Sequence, residues 1–183
     1  MRLGINKLLI LTMQKRILLF YFLSTFLFIS CSSKKNITQA SKNSTAVVQK
    51  YARLMDVPKK KIKNPELYQF IDEWLGTRYQ FGGLSKNGID CSGFTHLLYK
   101  EVYDKSIPRN TSEQVNIIKR KYEGQLKEGD LVFFNYDKKK FSHVGVFLQN
   151  GYYVHASTRK GVMVQKLKDP YTYKYFSRGG SVK

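Results

Sequence analysis

Ser142-His143-Val144-Gly145-Val146-Phe147-Leu148-Gln149-Asn150-Gly151-Tyr152-Tyr153-Val154-His155-Ala156 reads as two strands about a turn. His143 to Gln149 and Tyr152 to Ala156 alternate in polarity with a period of two, and Asn150-Gly151 between them is a strong hairpin signal. Loop length decides which residues share a face, because a slip of one residue moves every side chain to the other side. With a two-residue loop, Gln149 pairs with Tyr152 and the two histidines fall on opposite faces. With a three-residue loop, a type I turn ending with Gly151 in the left-handed region, Leu148 pairs with Tyr152, Val146 with Val154 and Val144 with Ala156 on one apolar face. The other face then sets Gly145 opposite His155, with His143 diagonal to it at a Cα separation of about 7 Å. Apolar matching and a shared histidine face choose the same three-residue register, and Gly145 leaves room there for a ring or a substrate.

Working outward, Gly88-Ile89-Asp90-Cys91-Ser92-Gly93-Phe94 places Cys91 at a turn-to-helix boundary. Phe94, Leu97, Leu98 and Val102 recur at helical spacing for about three turns, with Asp90 at the mouth. A thiol at a helix N-terminus is acidified by the exposed amides, so Cys91 is expected to be substantially thiolate beside an imidazolium. One thiol and two imidazoles supply a nucleophile, a base and a group to orient the base. The third histidine, His96, projects about 140° away from Cys91 on an ideal helix and reads as a packing residue. Two other readings stand beside catalysis. Cys91, His143 and His155 could hold zinc with one position open, and a free cysteine is often only a small buried hydrophobe.

A further helix opens at Asn64, a cap, with Pro65 at the first helical position and Glu66 near the positive end of the dipole. Leu67, Phe70, Ile71, Trp74 and Leu75 form its apolar face, and Gly76 stops it. Asp130 to Asn135, Val162 to Lys166 and Lys174 to Arg178 read as additional strands. Residues 64–183 therefore form one α+β domain.

The start of the chain is of another kind. Lys15 and Arg16 precede the apolar run Ile17 to Ile29, too short to span a bilayer comfortably, then Ser30 and Cys31: a secretory signal over 1–30, with translation expected to begin at Met13. Phe28-Ile29-Ser30-Cys31 resembles a bacterial lipobox, which implies lipid on Cys31 and leaves Cys91 as the single free thiol of the mature chain. A Cys31–Cys91 bridge would require Cys31 without acyl chains. Rich in Ser, Thr, Asn, Gln and Lys, residues 31–63 read as a flexible basic tether, with some helical spacing from Ala46 to Val57.

The formal charge is +19, from 32 Lys and Arg against 13 Asp and Glu. Such an excess suggests nucleic acid first, but no nucleic-acid motif accompanies it and the export signal removes the chain from cytoplasmic DNA. Anionic envelope lipids are a partner that suffices.

Tyr79-Gln80-Phe81-Gly82-Gly83, Ile89-Asp90-Cys91-Ser92-Gly93-Phe94, Pro108-Arg109-Asn110-Thr111-Ser112-Glu113-Gln114, Gly129 to Phe134, Ser142 to Val146 and Val154 to Thr158 resemble, in order, the motifs of the NlpC-type cell-wall cysteine peptidases. The resemblance implies a papain-like α+β fold, with the nucleophile at the N-terminus of a helix packed on a small antiparallel sheet. It implies hydrolysis of peptidoglycan stem peptides between D-γ-glutamyl and a diamino acid, with Cys91 as nucleophile, His143 as base and His155 orienting His143. Tyr79 matches the tyrosine beside the nucleophile; it reads equally as an oxyanion donor and as a packed aromatic. Asp90 and Ser92 stand as substrate or oxyanion candidates. The resemblance sets Asn110 where some relatives carry an acidic residue for a free amino terminus; without that charge, peptides still attached to glycan are the expected substrate. No cofactor or resident metal is expected, and the enzyme is expected to be a monomer, lipid-anchored in the cell envelope at the outer membrane facing the periplasm. An idle or zinc-holding wall-binding lipoprotein is the alternative.

Overall fold

Alternating strands of the kind seen in the hairpin assemble one antiparallel sheet in the computed structural model, which describes residues 44–183. The expected signal at 1–30, the start at Met13, the lipid site Cys31 and the tether up to residue 43 lie outside the described residues. In chain order the elements are helix α1 (residues 44–54), α2 (Pro65–Trp74), strands β1 (Leu84–Ser85) and β2 (Gly88–Ile89), α3 (Cys91–Tyr103), α4 (Thr111–Gln114), then β3 (Ile118–Lys121), β4 (Leu131–Phe134), β5 (His143–Phe147), β6 (Tyr152–Ser157), β7 (Gly161–Lys166) and β8 (Phe176–Val182). β1 and β2 form a small hairpin of their own; the other strands run in the order β3-β8-β4-β5-β6-β7.

Each face of the sheet is buried differently. Leu131, Phe133, Val144, Val146, Val154 and Ala156 point toward the helices and pack with Phe70, Ile71, Trp74, Phe94 and Leu98. Fully burying such a side chain contributes roughly 1.5–3 kcal/mol, so this layer fixes where α3 lies on the sheet. The opposite face gathers Val132, Phe134, Phe147, Tyr153 and Leu167 under Tyr136, Tyr175 and Phe176.

The β5–β6 register agrees with the three-residue reading: Val146 pairs with Val154 and Phe147 with Tyr153. The turn itself is built another way. Asn150 and Gly151 both have positive φ, 53° and 74°, as a two-residue primed turn requires. Tyr152 N–H donates to the Gln149 carbonyl, while Leu148 N–H donates to the Tyr152 carbonyl at 2.7 Å. Leu148 and Gln149 thus both stand against Tyr152, a bulge that supplies the extra residue and restores the register.

Asn64 caps α2 as expected, its Oδ1 accepting from Leu67 N–H at 3.2 Å. The domain begins earlier than Asn64, however, because the segment expected to tether it is helical and packed from residue 44. Tyr51 and Met55 are fully buried and Ala52 nearly so; spaced about one turn apart, they give the end of α1 and the residue after it an apolar stripe that the polar residues around them obscure in a composition count. Tyr51 packs on Tyr68 with ring centroids 5.2 Å apart, and Asn150 Nδ2 donates to the Met55 carbonyl at 2.7 Å. β3 was also missed in the sequence. Its Ile118-Lys119-Arg120-Lys121 is mostly charged, which suits an edge strand that must not pair with other chains.

Because Met55 has no exposed surface, Met55→Ala is expected to cost about 2–5 kcal/mol in urea unfolding. A loss under about 0.5 kcal/mol, the range of surface substitutions, would return this segment to the status of a tether.

Candidate active site

Cys91 opens α3 because Asp90 ends the extended segment before it and caps the helix. Asp90 has φ −95° and ψ 174°, and its Oδ1 accepts from Gly93 N–H at 2.7 Å. Its carbonyl accepts from Phe94 N–H. The Cys91 N–H, at the first helical position, has no acceptor among the described residues, so it is an available donor beside the sulfur.

Below the helix mouth, Arg109 pairs with Asp90 through both carboxylate oxygens, Nη1 to Oδ1 at 2.8 Å and Nη2 to Oδ2 at 2.9 Å. The same guanidinium donates to Ser92 Oγ at 3.0 Å and to the Gly83 carbonyl at 3.0 Å. Gly82 N–H donates to Asp90 Oδ2 at 2.7 Å. Asp90 and Ser92 are therefore engaged inside the protein, in a pin that ties the Gly82-Gly83 turn, the nucleophile helix and the Pro-Arg motif together. Burial pushes the Asp90 carboxyl up, but Arg109 and the amides of Gly93 and Gly82 outweigh it and hold the group below its usual value. Arg109 lay inside a motif quoted from the sequence but was assigned no role there, since nothing in its spacing showed which carboxylate it would meet. Asn110 Oδ1 accepts from Glu113 N–H and Ser112 Oγ, capping the short α4 that follows.

On the histidine face, His143 Nε2 lies 2.7 Å from His155 Nδ1. Gly145 makes this approach feasible: a Cβ there would stand 2.6 Å from the Val154 carbonyl oxygen and 3.2 Å from the His155 Cβ. Both rings are buried, and Phe134 and Tyr136 flank His143 with centroids 5.9 and 5.6 Å away. With Nε2 engaged, Nδ1 is the nitrogen of His143 left for chemistry. His96, by contrast, faces elsewhere and ties Nδ1 to the Ile107 carbonyl at 2.6 Å, the packing role expected of it.

Electrostatics corrects one expectation. Burial pushes the Cys91 thiol up, and the Asp90 charge at the helix mouth adds to that; the amides of Val144 and Ser92 and the Thr111 hydroxyl pull it back only in part. Burial likewise lowers His143 well below the ordinary histidine value, with His155 adding to the effect, and lowers His155 to about 4. Taken singly, sulfur and imidazole rest neutral, not as the thiolate expected from the helix terminus alone. Cys91 shares the buried cluster with Val144, the chain neighbour of His143, and α3 packs against β5. Tyr79 is half-buried next to Cys91; burial, then the neighbouring Cys91 and Asp90, push its hydroxyl up to about 12, so it remains a donor at neutral pH. Among the described residues no cluster of His, Cys, Asp and Glu has the arrangement of a metal site, and the facing histidine nitrogens occupy each other.

Comparison with known proteins places this geometry. Residues 76–180 match the family described as the NlpC/P60 family. A "Probable endopeptidase NlpC homolog" of Haemophilus influenzae is 43% identical over 105 residues, covering 57% of this chain and 55% of that protein. A "Murein DD-endopeptidase MepS/Murein LD-carboxypeptidase" of Escherichia coli K12 is 37% identical over 121 residues, covering 66% of this chain and 63% of the relative. The match thus spans less than two thirds of either relative's length. Among solved structures, an NlpC/P60 family protein from Bacillus cereus superposes with a TM-score of 0.59 at 29% identity, over 63% of this chain and 39% of that one.

The histidine burial has a consequence for stability. Both folded values lie below the free value of 6.5, so the unfolded chain takes up protons first as pH falls. Stability is complete above pH 6.5 and declines toward pH 4, by at most about 1.4 kcal/mol per pH unit for His155 alone. Urea midpoints measured at pH 7 and pH 5 should show this fall, and His155→Asn should make it shallower; a midpoint independent of pH would contradict a buried neutral pair.

Proposed function

The chain belongs to the NlpC/P60 family, and from that premise we propose that it is a peptidoglycan hydrolase of papain-like fold that cuts stem peptides with Cys91 as nucleophile. The observation that carries the reading is the 2.7 Å bond between His143 Nε2 and His155 Nδ1, which leaves a lone imidazole nitrogen available at the strand end that meets the Cys91 helix mouth. The names of the Haemophilus and Escherichia relatives support an endopeptidase acting on murein.

The chemistry follows from the resting protonation. As the Cys91 sulfur attacks the peptide carbonyl carbon, His143 Nδ1 takes the thiol proton. The oxyanion that forms accepts hydrogen bonds from the Cys91 N–H and the Tyr79 hydroxyl. Collapse breaks the carbon–nitrogen bond, and the imidazolium returns its proton to the leaving amine. A water then gives its proton to His143 and its oxygen to the thioester carbon; the carbon–sulfur bond breaks, and the sulfur recovers the proton. His155 supports the transient imidazolium by accepting the Nε2–H. A neutral orienter does this less strongly than a carboxylate would, which suits a base that starts each cycle uncharged.

The bond we propose is that between D-γ-glutamyl and the diamino acid, in peptides still attached to glycan because Asn110 carries no charge for a free ammonium. Lipid on Cys31, residence at the outer membrane facing the periplasm, electrostatic attraction to the wall and a monomeric state complete the proposal. A zinc site made from the same residues is disfavoured because His143 Nε2 and His155 Nδ1 face each other. An idle wall-binding role is the remaining rival.

Mass analysis of muropeptides from intact sacculi tests the reading. Wild type is expected to yield glycan-linked fragments ending in D-glutamate, and Cys91→Ala none. Fragments cut at the crosslink instead would reassign the bond, and an undigested wall with both proteins would overturn the hydrolase proposal.

A further inference from the structure

The bond between the histidines does not by itself say which ring donates. Two assignments satisfy it: His143 Nε2–H donating to His155 Nδ1, or His155 Nδ1–H donating to His143 Nε2. Only the first leaves His143 Nδ1 with a lone pair. In the second, Nδ1 carries the proton and cannot accept one from a thiol.

The choice is settled one strand further out. On β7, Gln165 Oε1 lies 3.2 Å from His155 Nε2, and Gln165 Nε2 lies 3.3 Å from Thr172 Oγ1. An amide can be turned end for end, so the orientation of Gln165 needs an external reference. Thr172 provides it. Its buried hydroxyl faces two groups of Asp169, the backbone carbonyl and Oδ1, each at 3.5 Å, and both are acceptors only. The hydroxyl hydrogen therefore goes to Asp169, long as those contacts are, and the oxygen accepts from Gln165 Nε2. Asp169 is held in turn, its Oδ1 also receiving the amides of Tyr171 and Thr172 at 3.1 and 3.3 Å.

Resting on the reading of His143 as the base, we propose that Gln165, oriented by Thr172 and Asp169, is a positioning residue that holds His155 as the Nε2–H tautomer and thereby holds His143 with its Nδ1 lone pair free. Each link has one direction. Asp169 accepts from Thr172, Thr172 from Gln165 Nε2, Gln165 Oε1 from His155 Nε2–H, and His155 Nδ1 from His143 Nε2–H. The group that faces His155 Nε2 is an uncharged amide, so the tautomer is set by hydrogen-bond polarity instead of by a carboxylate against the imidazole. β7 is the sheet's outer strand, so the residue can be changed without emptying the core.

The test uses the full chain labelled with nitrogen-15, at pH 7, where His155 is neutral. The ring-nitrogen shifts of wild type should report both His143 and His155 as Nε2–H; His155 as Nδ1–H would overturn the proposal. Gln165→Met, of similar volume but with no acceptor, should mix the tautomers and lower kcat about tenfold with KM within twofold. Gln165→Glu, which keeps an oxygen toward His155 and lets Thr172 rotate to donate, should restore the wild-type tautomers and kcat to within about threefold. A Met variant with unchanged tautomers and kcat, or a Glu variant as impaired as Met, would reject the relay. The tautomers are read whether or not the wall is cut, so an inactive wild type with the ordered pattern upholds the relay and removes only the hydrolase reading.

Discussion

The hydrogen bond between His143 and His155 depends on a strand register, and most of the site depends on that bond. Moving the pairing by one residue would send His155 to the helix side of the sheet, away from His143. The register is held by Val146 against Val154 on the packed face and by the bulge at Leu148 and Gln149. Gly145 then keeps the space between the histidines clear. A few apolar contacts on one face thus determine the polar geometry of the other.

Charge placement around Cys91 works with burial. A helix mouth would ordinarily favour a thiolate, yet Asp90 sits on that mouth as its cap, and the sulfur is buried. Arg109 neutralises Asp90 from below and fixes the helix start in place. The sulfur and the imidazole each rest neutral, and in the proposed mechanism both become charged only as a proton passes between them. Such a pair avoids a standing buried ion pair, whose desolvation would weigh against the folded state.

Much of this could be read before any coordinates. The Asn64 cap, the stripe from Leu67 to Trp74, the helix behind Cys91 and the hairpin register follow from periodicity and turn chemistry, which act locally. What escaped reading acts at a distance or against composition. Residues 44–54 look like tether because they continue a polar, Ser-, Thr-, Asn- and Lys-rich stretch, and only the spacing of the buried Tyr51, Ala52 and the following Met55 shows a face. β3 is hidden by its charges, which serve an edge. Arg109 and Gln165 carry no signal of their own, since their importance lies in which atoms the fold sets opposite them. The expectation of a Cys91 thiolate beside an imidazolium weighs the helix amides without the burial that opposes them.

In the proposed mechanism His143 Nδ1 takes the proton of a thiol that burial would otherwise keep. The rate of Cys91 alkylation by iodoacetamide as a function of pH, followed on the Cys91 peptide by mass, measures this most directly in wild type and His143→Ala. Appreciable alkylation is expected at pH 7 in wild type, and in the variant a rate lower by at least tenfold that recovers only as pH rises past the ordinary thiol range. Superimposable profiles for the two proteins would mean that the sulfur and the imidazole do not share a proton, and would contradict His143 as the base.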